Sequence, residues 1–233
     1  MVPLSPPGNR RACGKRGATV VASARYRNAA MSPTEQSLPT PLFNATTTVN
    51  DSVLASIAHM PTASLPVLMD GAFAQRLSDA QMMRIAVLLA QKSLVEGGCP
   101  IGAVIIDSQT RQILGKGHNT LVQESHPYNH GETSAMRDAG RIDFSRTTLF
   151  TSLSPCDVCT QLLINRGVAR VVVGNVTHAA GNETALRARG IKVDILEDSE
   201  GLALYAHFRD TQPALELEDW QGLSAIKHPS APR

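Results

Sequence analysis

Short apolar segments alternate with amphipathic segments along residues 78–210, and this alternation restricts the chain to α/β architectures more than any other feature does. Helical spacing of apolar residues predicts helices at 78–97, 130–140, 156–166, 182–190 and 201–210, with a last turn at 215–220. Apolar runs predict strands at 103–106, 112–115, 148–151, 170–174 and 191–196. Because the connections are short, we expect a three-layer α/β/α sandwich whose mixed sheet is mostly parallel.

The two ends of the chain differ from this pattern. Residues 1–75 are rich in Pro, Ser, Thr and Ala, which predicts a tail and linker, with at most a short, loosely docked helix near residues 53–60. The first 34 residues contain no acid and are basic, which suits either a transit segment or a disordered tail. Residues 76–223 are the expected catalytic domain, and 224–233 a disordered tail.

Composition limits the function. The 233 residues carry a net charge of only +2, which favours a small-molecule ligand over a polyanionic partner. No apolar run is long enough for a membrane span, so we expect a soluble protein. The four cysteines are poorly placed for a disulfide framework and favour a reducing, cytoplasmic location, with organelle targeting through the basic end as the alternative.

Two short motifs carry the chemistry. His130-Gly131-Glu132 and Pro155-Cys156-Asp157-Val158-Cys159 each begin a predicted helix. Cysteines three residues apart in a first helical turn direct both sulfurs to one side, where one ion can bridge them. With the imidazole as third ligand, a tetrahedral zinc keeps one position for water, which is typical of a catalytic site. Closure of the site by His118 or His126 would instead make it structural.

Glu132 lies two residues beyond the histidine ligand. From that position it can approach a zinc-bound water, remove a proton and return it to the substrate. By itself it could equally be an exposed acid that complements the helix dipole. Together, however, the H-x-E and P-C-x-x-C motifs are the signature of zinc deaminases, in which this glutamate is the general acid and base.

From about residue 86 to residue 220 the chain resembles fungal-type cytosine deaminases of the cytidine and deoxycytidylate deaminase superfamily. Besides the two motifs, the resemblance includes the segments 96–102 (EGGCPIG), 117–119 (GHN), 152–160 (SLSPCDVCT) and 219–220 (DW), in the same order and at near-equal spacing. It implies a cytidine deaminase-like fold, one catalytic Zn²⁺ per chain, a homodimer formed by helices that flank the active site, and deamination of cytosine to uracil.

The resemblance also implies a substrate pocket. Asn119 would bind the carbonyl side of the ring, Ile101 and Leu153 would line the base, and Trp220 would close the pocket. The full expected set of substrate-binding residues is Ile101, Asn119, Gly131, Leu153, Ser154, His178 and Trp220.

Two departures from the family pattern concern substrate choice. Leu223 stands where the family has an acid, and His178 aligns with a pocket phenylalanine. Loss of a carboxylate would leave a buried ring donor unpaired, at a cost of about 1–3 kcal/mol. Guanine, another aminated pyrimidine or a triazine-like ring therefore stay open as substrates. A tRNA adenosine deaminase, with the basic tail as an RNA arm, and a non-catalytic zinc module are the remaining alternatives.

Overall fold

The computed structural model describes residues 40–177 and 182–221, with side chains up to residue 217. The predictions at His178, Leu223, residues 1–39 and residues 224–233 lie outside this described part. The strands are β1 (Gly102–Asp107), β2 (Ile113–His118), β3 (Thr147–Leu153), β4 (Arg170–Asn175) and β5 (Lys192–Ile195). The helices are α1 (Asp51–His59), α2 (Leu65–Leu68), α3 (Gly71–Arg76), α4 (Asp79–Val95), α5 (Leu121–Glu124), α6 (Gly131–Ala139), α7 (Asp157–Arg166), α8 (Asn182–Ala188), α9 (Ser199–Thr211) and α10 (Pro213–Gln221).

The five strands form one sheet in the order β2-β1-β3-β4-β5. The β1 strand is antiparallel to both of its neighbours, whereas β3, β4 and β5 run parallel. Alternate residues of β1 enter different hydrophobic clusters: Val104 and Ile106 pack with α4, and Ala103 and Ile105 pack with α6. Helices therefore cover both faces, and the prediction of a three-layer sandwich with a mixed sheet is confirmed.

The helix boundaries follow from their capping residues. Ser78 caps α4 in a reciprocal arrangement with Gln81, in which each side chain bonds to the backbone N–H of the other residue. Gly167 ends α7 in the left-handed conformation, at φ +69°, which glycine adopts without a steric penalty. None of the helices in the described part is long and apolar enough to cross a bilayer.

Residues 40–77 differ from the sequence prediction of a loosely docked arm. Leu54, Ile57 and Phe73 are at most 3% exposed and belong to the same core cluster as α4. The ring of Phe73 stacks on that of Phe43, with centroids 5.5 Å apart. The helices of this segment are nine residues long or shorter, and helices this short show no clear period in the sequence. Burial of apolar side chains, rather than periodicity, holds it in place.

Candidate metal centre

The N-terminal ends of α6 and α7 bring three metal-binding side chains together. His130 is the N-cap of α6 and Cys156 is the N-cap of α7. The Nδ1 atom of His130 lies 3.3 Å from Sγ of Cys156 and 3.6 Å from Sγ of Cys159. Each residue offers one ligand atom, and these atoms all lie within 4.8 Å of one another. Two helix termini that are 26 residues apart in the sequence thus form one site.

The two thiols differ in their protonation. A hydrogen bond with the Cys159 thiol, assisted by His130 and opposed by burial, lowers the pKa of Cys156 to about 4. The same hydrogen bond, together with burial and the nearby carboxylate of Glu132, raises the pKa of Cys159. Cys156 is therefore a thiolate at neutral pH. One imidazole nitrogen and two sulfurs, one already ionised, form a donor set that suits zinc.

The histidines that could close the site are engaged elsewhere. His118 pairs with Glu96, with 2.8 Å between Nε2 and Oε2, and Nδ1 of His126 accepts a hydrogen bond from the backbone N–H of Tyr128 at 3.1 Å. Within residues 40–177 and 182–217, the cluster of potential ligands holds three residues. This set leaves a tetrahedral position for water and favours a catalytic site over a structural one.

Glu132 is a buried acid beside the ligands. Glu132 is only 2% exposed, and its Oε1 atom accepts a hydrogen bond of 3.0 Å from the hydroxyl of Thr151. Burial, followed by the negative charge of Cys156, raises the pKa of the Glu132 carboxyl. An acid whose pKa is moved towards neutrality can both accept and donate a proton. Thr151 was not predicted from the sequence, because its strand also contains Thr147, Thr148 and Ser152 and nothing local distinguishes one hydroxyl from the others.

Three of the predicted substrate-binding residues meet at Ile101. Its carbonyl oxygen accepts a hydrogen bond of 2.8 Å from the backbone N–H of Asn119. The same oxygen would lie 3.1 Å from a Cβ atom at Gly131, so only glycine fits there without crowding. The Ile101 side chain shares a small buried cluster with Leu153. Since Gly131 directly follows the histidine ligand, these residues lie next to the metal-binding cluster.

Asn119 is fully buried and held by neighbours that the sequence analysis did not select. Its carbonyl oxygen accepts hydrogen bonds from the Ser93 hydroxyl at 2.7 Å and from the Gln123 amide at 3.0 Å. Its side-chain oxygen accepts the backbone N–H of Leu121 at 3.1 Å. These contacts fix both the backbone and the amide orientation. Neither Ser93 nor Gln123 belongs to a recognisable motif, which explains their omission.

The remaining predicted pocket residues are Ser154, His178 and Trp220. Ser154 is buried; its hydroxyl donates to Glu183 and its backbone N–H to the carbonyl of Asn175. Trp220 lies in α10, but its side chain is outside the described part, as is the whole of His178. The substrate roles of these residues stay predictions.

Comparison with known proteins agrees with the site. Residues 77–175, which include all three candidate ligands, match the model of the cytidine and deoxycytidylate deaminase zinc-binding region. A cytosine deaminase from Candida albicans is 39% identical over 145 residues, which cover 61% of this chain and 93% of that protein. A tRNA-specific adenosine deaminase from Haemophilus influenzae is 32% identical over 117 residues, covering 48% of this chain and 67% of that protein.

A solved structure is similar in fold. The guanine deaminase from Nitrosomonas europaea superposes with a TM-score of 0.51 at 20% identity. The superposition covers 57% of this chain and 85% of that structure. At this level of identity the likeness concerns the fold alone.

Proposed function

The chain belongs to the cytidine and deoxycytidylate deaminase family, and we propose that it hydrolyses the exocyclic amine of free cytosine to give uracil and ammonia. The observation that carries this proposal is the position of Glu132, a buried carboxyl with a raised pKa beside a cluster of three zinc ligands. A purely structural zinc site does not need a buried acid. Burial of a carboxyl lowers the stability of the fold, so its presence beside the ligands favours a catalytic role.

The residues divide the chemistry between them. His130, Cys156 and Cys159 would hold the zinc ion, which when bound lowers the pKa of a water molecule to about 7. Glu132 takes a proton from the attacking water and donates it to the ring nitrogen. It then takes the second proton of that water, now on the hydroxyl of the attacked carbon, and passes it to the amine, which departs as ammonia. The hydroxyl of Thr151 fixes one oxygen of that carboxyl through these steps.

The pocket residues select the ring. The Asn119 amide, held in one orientation by Leu121, binds the carbonyl side of the base. Ile101 and Leu153 supply apolar surface next to the ring, and Gly131 lets it approach the backbone. Ser154, His178 and Trp220 complete the proposed pocket.

A homodimer is part of this proposal. Residues of α6, of α7 and of the segment that follows α6 line a cavity of about 600 Å³: Thr133, Met136, Arg137, Gly140, Arg141, Ile142, Phe144, Leu162 and Arg166. Val158 of α7 is 56% exposed, an apolar side chain that a second copy would cover. Sedimentation velocity should give a dimer mass for the wild-type protein and a monomer for Arg166→Glu. A monomeric wild-type protein would contradict the dimer and leave the deaminase proposal intact.

The proposed location is the cytoplasm, with organelle targeting through the basic first 34 residues as the alternative. Fluorescent fusions with and without residues 1–34 distinguish the two. Equal cytoplasmic signal from both fusions supports the first, whereas organelle signal that requires the basic segment supports the second.

The substrate is tested by ammonia release from zinc-loaded protein supplied with cytosine, isocytosine, guanine, adenine, creatinine, cytidine or unmodified tRNA. We expect turnover of cytosine by the wild-type protein and none by Glu132→Ala. Turnover of guanine or another ring, with silence on cytosine, would keep the mechanism and change the substrate. Inosine formation in tRNA would favour the adenosine deaminase alternative. No ammonia release from any compound, despite bound zinc, would favour the non-catalytic zinc module.

A further inference from the structure

Side chains from the start of α8 contact the loop that carries the first cysteine ligand. The carboxylate of Glu183 accepts a hydrogen bond from the hydroxyl of Ser154. The side-chain amide of Asn182 donates to the carbonyl of Pro155 at 2.9 Å. Ser154 and Pro155 directly precede Cys156 in the chain. Two consecutive residues of α8 therefore form hydrogen bonds with the two residues that precede the first cysteine ligand.

Ser154 and Pro155 also form hydrogen bonds outside α8. The backbone N–H of Ser154 donates to the carbonyl of Asn175 at 3.0 Å, which extends the pairing of β3 with β4. The carbonyl of Pro155 also accepts a hydrogen bond of 3.3 Å from the Thr160 hydroxyl of α7. These contacts fix where the loop starts and ends. The bonds from α8 act on the Ser154 hydroxyl and the Pro155 carbonyl, and they add to these contacts in placing the backbone that leads to Cys156.

Glu183 is an unusual residue for a merely supportive contact. It is only 6% exposed, and a carboxylate at such a position has lost most of its hydration. Acceptance of a hydroxyl hydrogen by a carboxylate gives a strong, directional bond that a neutral pair would not match. The first turn of α8 also suits an acid, because the helix dipole favours negative charge there. From that position the carboxylate orients the Ser154 hydroxyl.

We propose that Glu183 and Asn182 are positioning residues of the metal centre. They hold Ser154 and Pro155 so that Sγ of Cys156 stays close enough to Nδ1 of His130 for both atoms to bind one ion. The inference rests on the proposed zinc site, but not on the identity of the substrate. Residues that orient metal ligands through hydrogen bonds tune the affinity for the ion, and their loss commonly weakens that affinity by about 10–100-fold. The region around α8 thus sets how tightly the chain holds its metal.

The test measures zinc affinity by competition with a chelator in four variants of the full chain. We expect Glu183→Ala to weaken zinc binding by about 10–100-fold, and Asn182→Ala to weaken it less, because Thr160 still contacts Pro155. Glu183→Gln keeps an oxygen acceptor but loses the charge, so its zinc affinity should lie between those of Glu183→Ala and the wild type. Glu200→Ala is the matched control, since Glu200 is an exposed glutamate in the first turn of α9, and it should leave zinc affinity unchanged.

The cobalt-substituted protein supplies a second readout that depends on ligand geometry. The thiolate-to-cobalt charge-transfer band should shift or weaken in Glu183→Ala and recover in part in Glu183→Gln. In a Ser154→Ala background the effect of Glu183→Ala should largely disappear, because both changes remove the same hydrogen bond. A protein that is merely less stable would not show this pattern.

The inference is overturned if Glu183→Ala, when folded, binds zinc as tightly as Glu200→Ala and has the wild-type cobalt spectrum. If Glu183→Ala does not fold, Asn182→Ala decides: unchanged zinc affinity and an unchanged cobalt spectrum in that variant overturn the inference. Wild-type protein that binds zinc but deaminates none of the tested bases would defeat the proposed function alone, since these measurements do not depend on turnover.

Discussion

The two ends of the central sheet use acidic residues in opposite ways. At the end where β3 terminates, Glu132 is buried, and burial together with the charge of Cys156 raises the pKa of its carboxyl. At the other end, Asp79 accepts hydrogen bonds from Arg111 at 2.9 Å and from Arg170 at 2.7 Å. Burial tends to raise the pKa of Asp79, but the two guanidinium groups outweigh it and lower that pKa.

The difference lies in the partners rather than in the residue type. The arginines keep Asp79 charged, and Arg170 also pairs with Asp194, so this end of the sheet is joined by a network of ion pairs. Glu132 is buried beside a thiolate, and these two features make its charge unfavourable even though the Thr151 hydroxyl donates a hydrogen bond to it. One end of the sheet is therefore organised for stability and the other for proton transfer.

The largest effect is expected from loss of a ligand at the catalytic end. Cys156→Ser removes the thiolate of the site, so zinc content should fall from one ion per chain towards zero and ammonia release should fall by more than about 100-fold. Metal analysis and a deamination assay on the same preparation measure both quantities. Full zinc content in this variant would mean that Cys156 is not a ligand.

A reciprocal change at the other end should alter stability and spare the chemistry. Asp79→Asn breaks two charged hydrogen bonds, and we expect the free energy of unfolding to fall by about 2 kcal/mol. Activity and zinc content of the folded variant should stay at the wild-type level. Denaturant unfolding, followed beside the activity assay, checks this. A large loss of kcat without loss of stability would remove the distinction between the two ends.

The ion-pair end should also determine acid sensitivity. Arginine contacts hold the pKa values of Asp79 and Asp194 below their ordinary value of 3.8, despite the opposing effect of burial. Carboxylates with a lowered folded-state pKa stabilise the fold above their unfolded pKa, and that stability is lost as the pH falls through the folded value. Unfolding free energies between pH 6 and pH 3 should therefore decline less steeply for Asp79→Asn than for the wild type. Parallel curves would contradict this prediction.

The smallest effect sharpens the comparison along a single helix. The α7 helix starts at the metal centre with Cys156 and ends at Gly167, where φ is +69°. Gly167→Ala introduces strain at the left-handed position and should lower the unfolding free energy by about 1 kcal/mol. Zinc affinity should not change, because the strain arises about two helical turns from Cys159 and about three from Cys156. A weaker zinc affinity would show that the two ends of α7 are coupled.

The catalytic end and the ion-pair end of the sheet also differ in how far the sequence predicts them. Except for the four-residue α5, the elements from α4 to α9 follow from periodicity and from caps such as Ser78 and Gly167, which are local signals. The metal cluster is predictable because both motifs mark helix starts and carry ligand-type side chains. Arg170 and Asp79 meet across 91 residues and have no motif, so no local pattern reveals their contact. The same holds for Glu183 with Ser154 and for the packing of Phe73.

The central claim is that Glu132 performs the proton transfers, and Glu132→Gln tests it most directly because the amide keeps the size of the side chain and cannot take up a proton. We predict that zinc-loaded Glu132→Gln releases ammonia from cytosine about 10²–10⁴-fold more slowly than the wild type, with full zinc content and an unfolding free energy that is equal or higher. Undiminished turnover by the zinc-loaded variant would contradict the account.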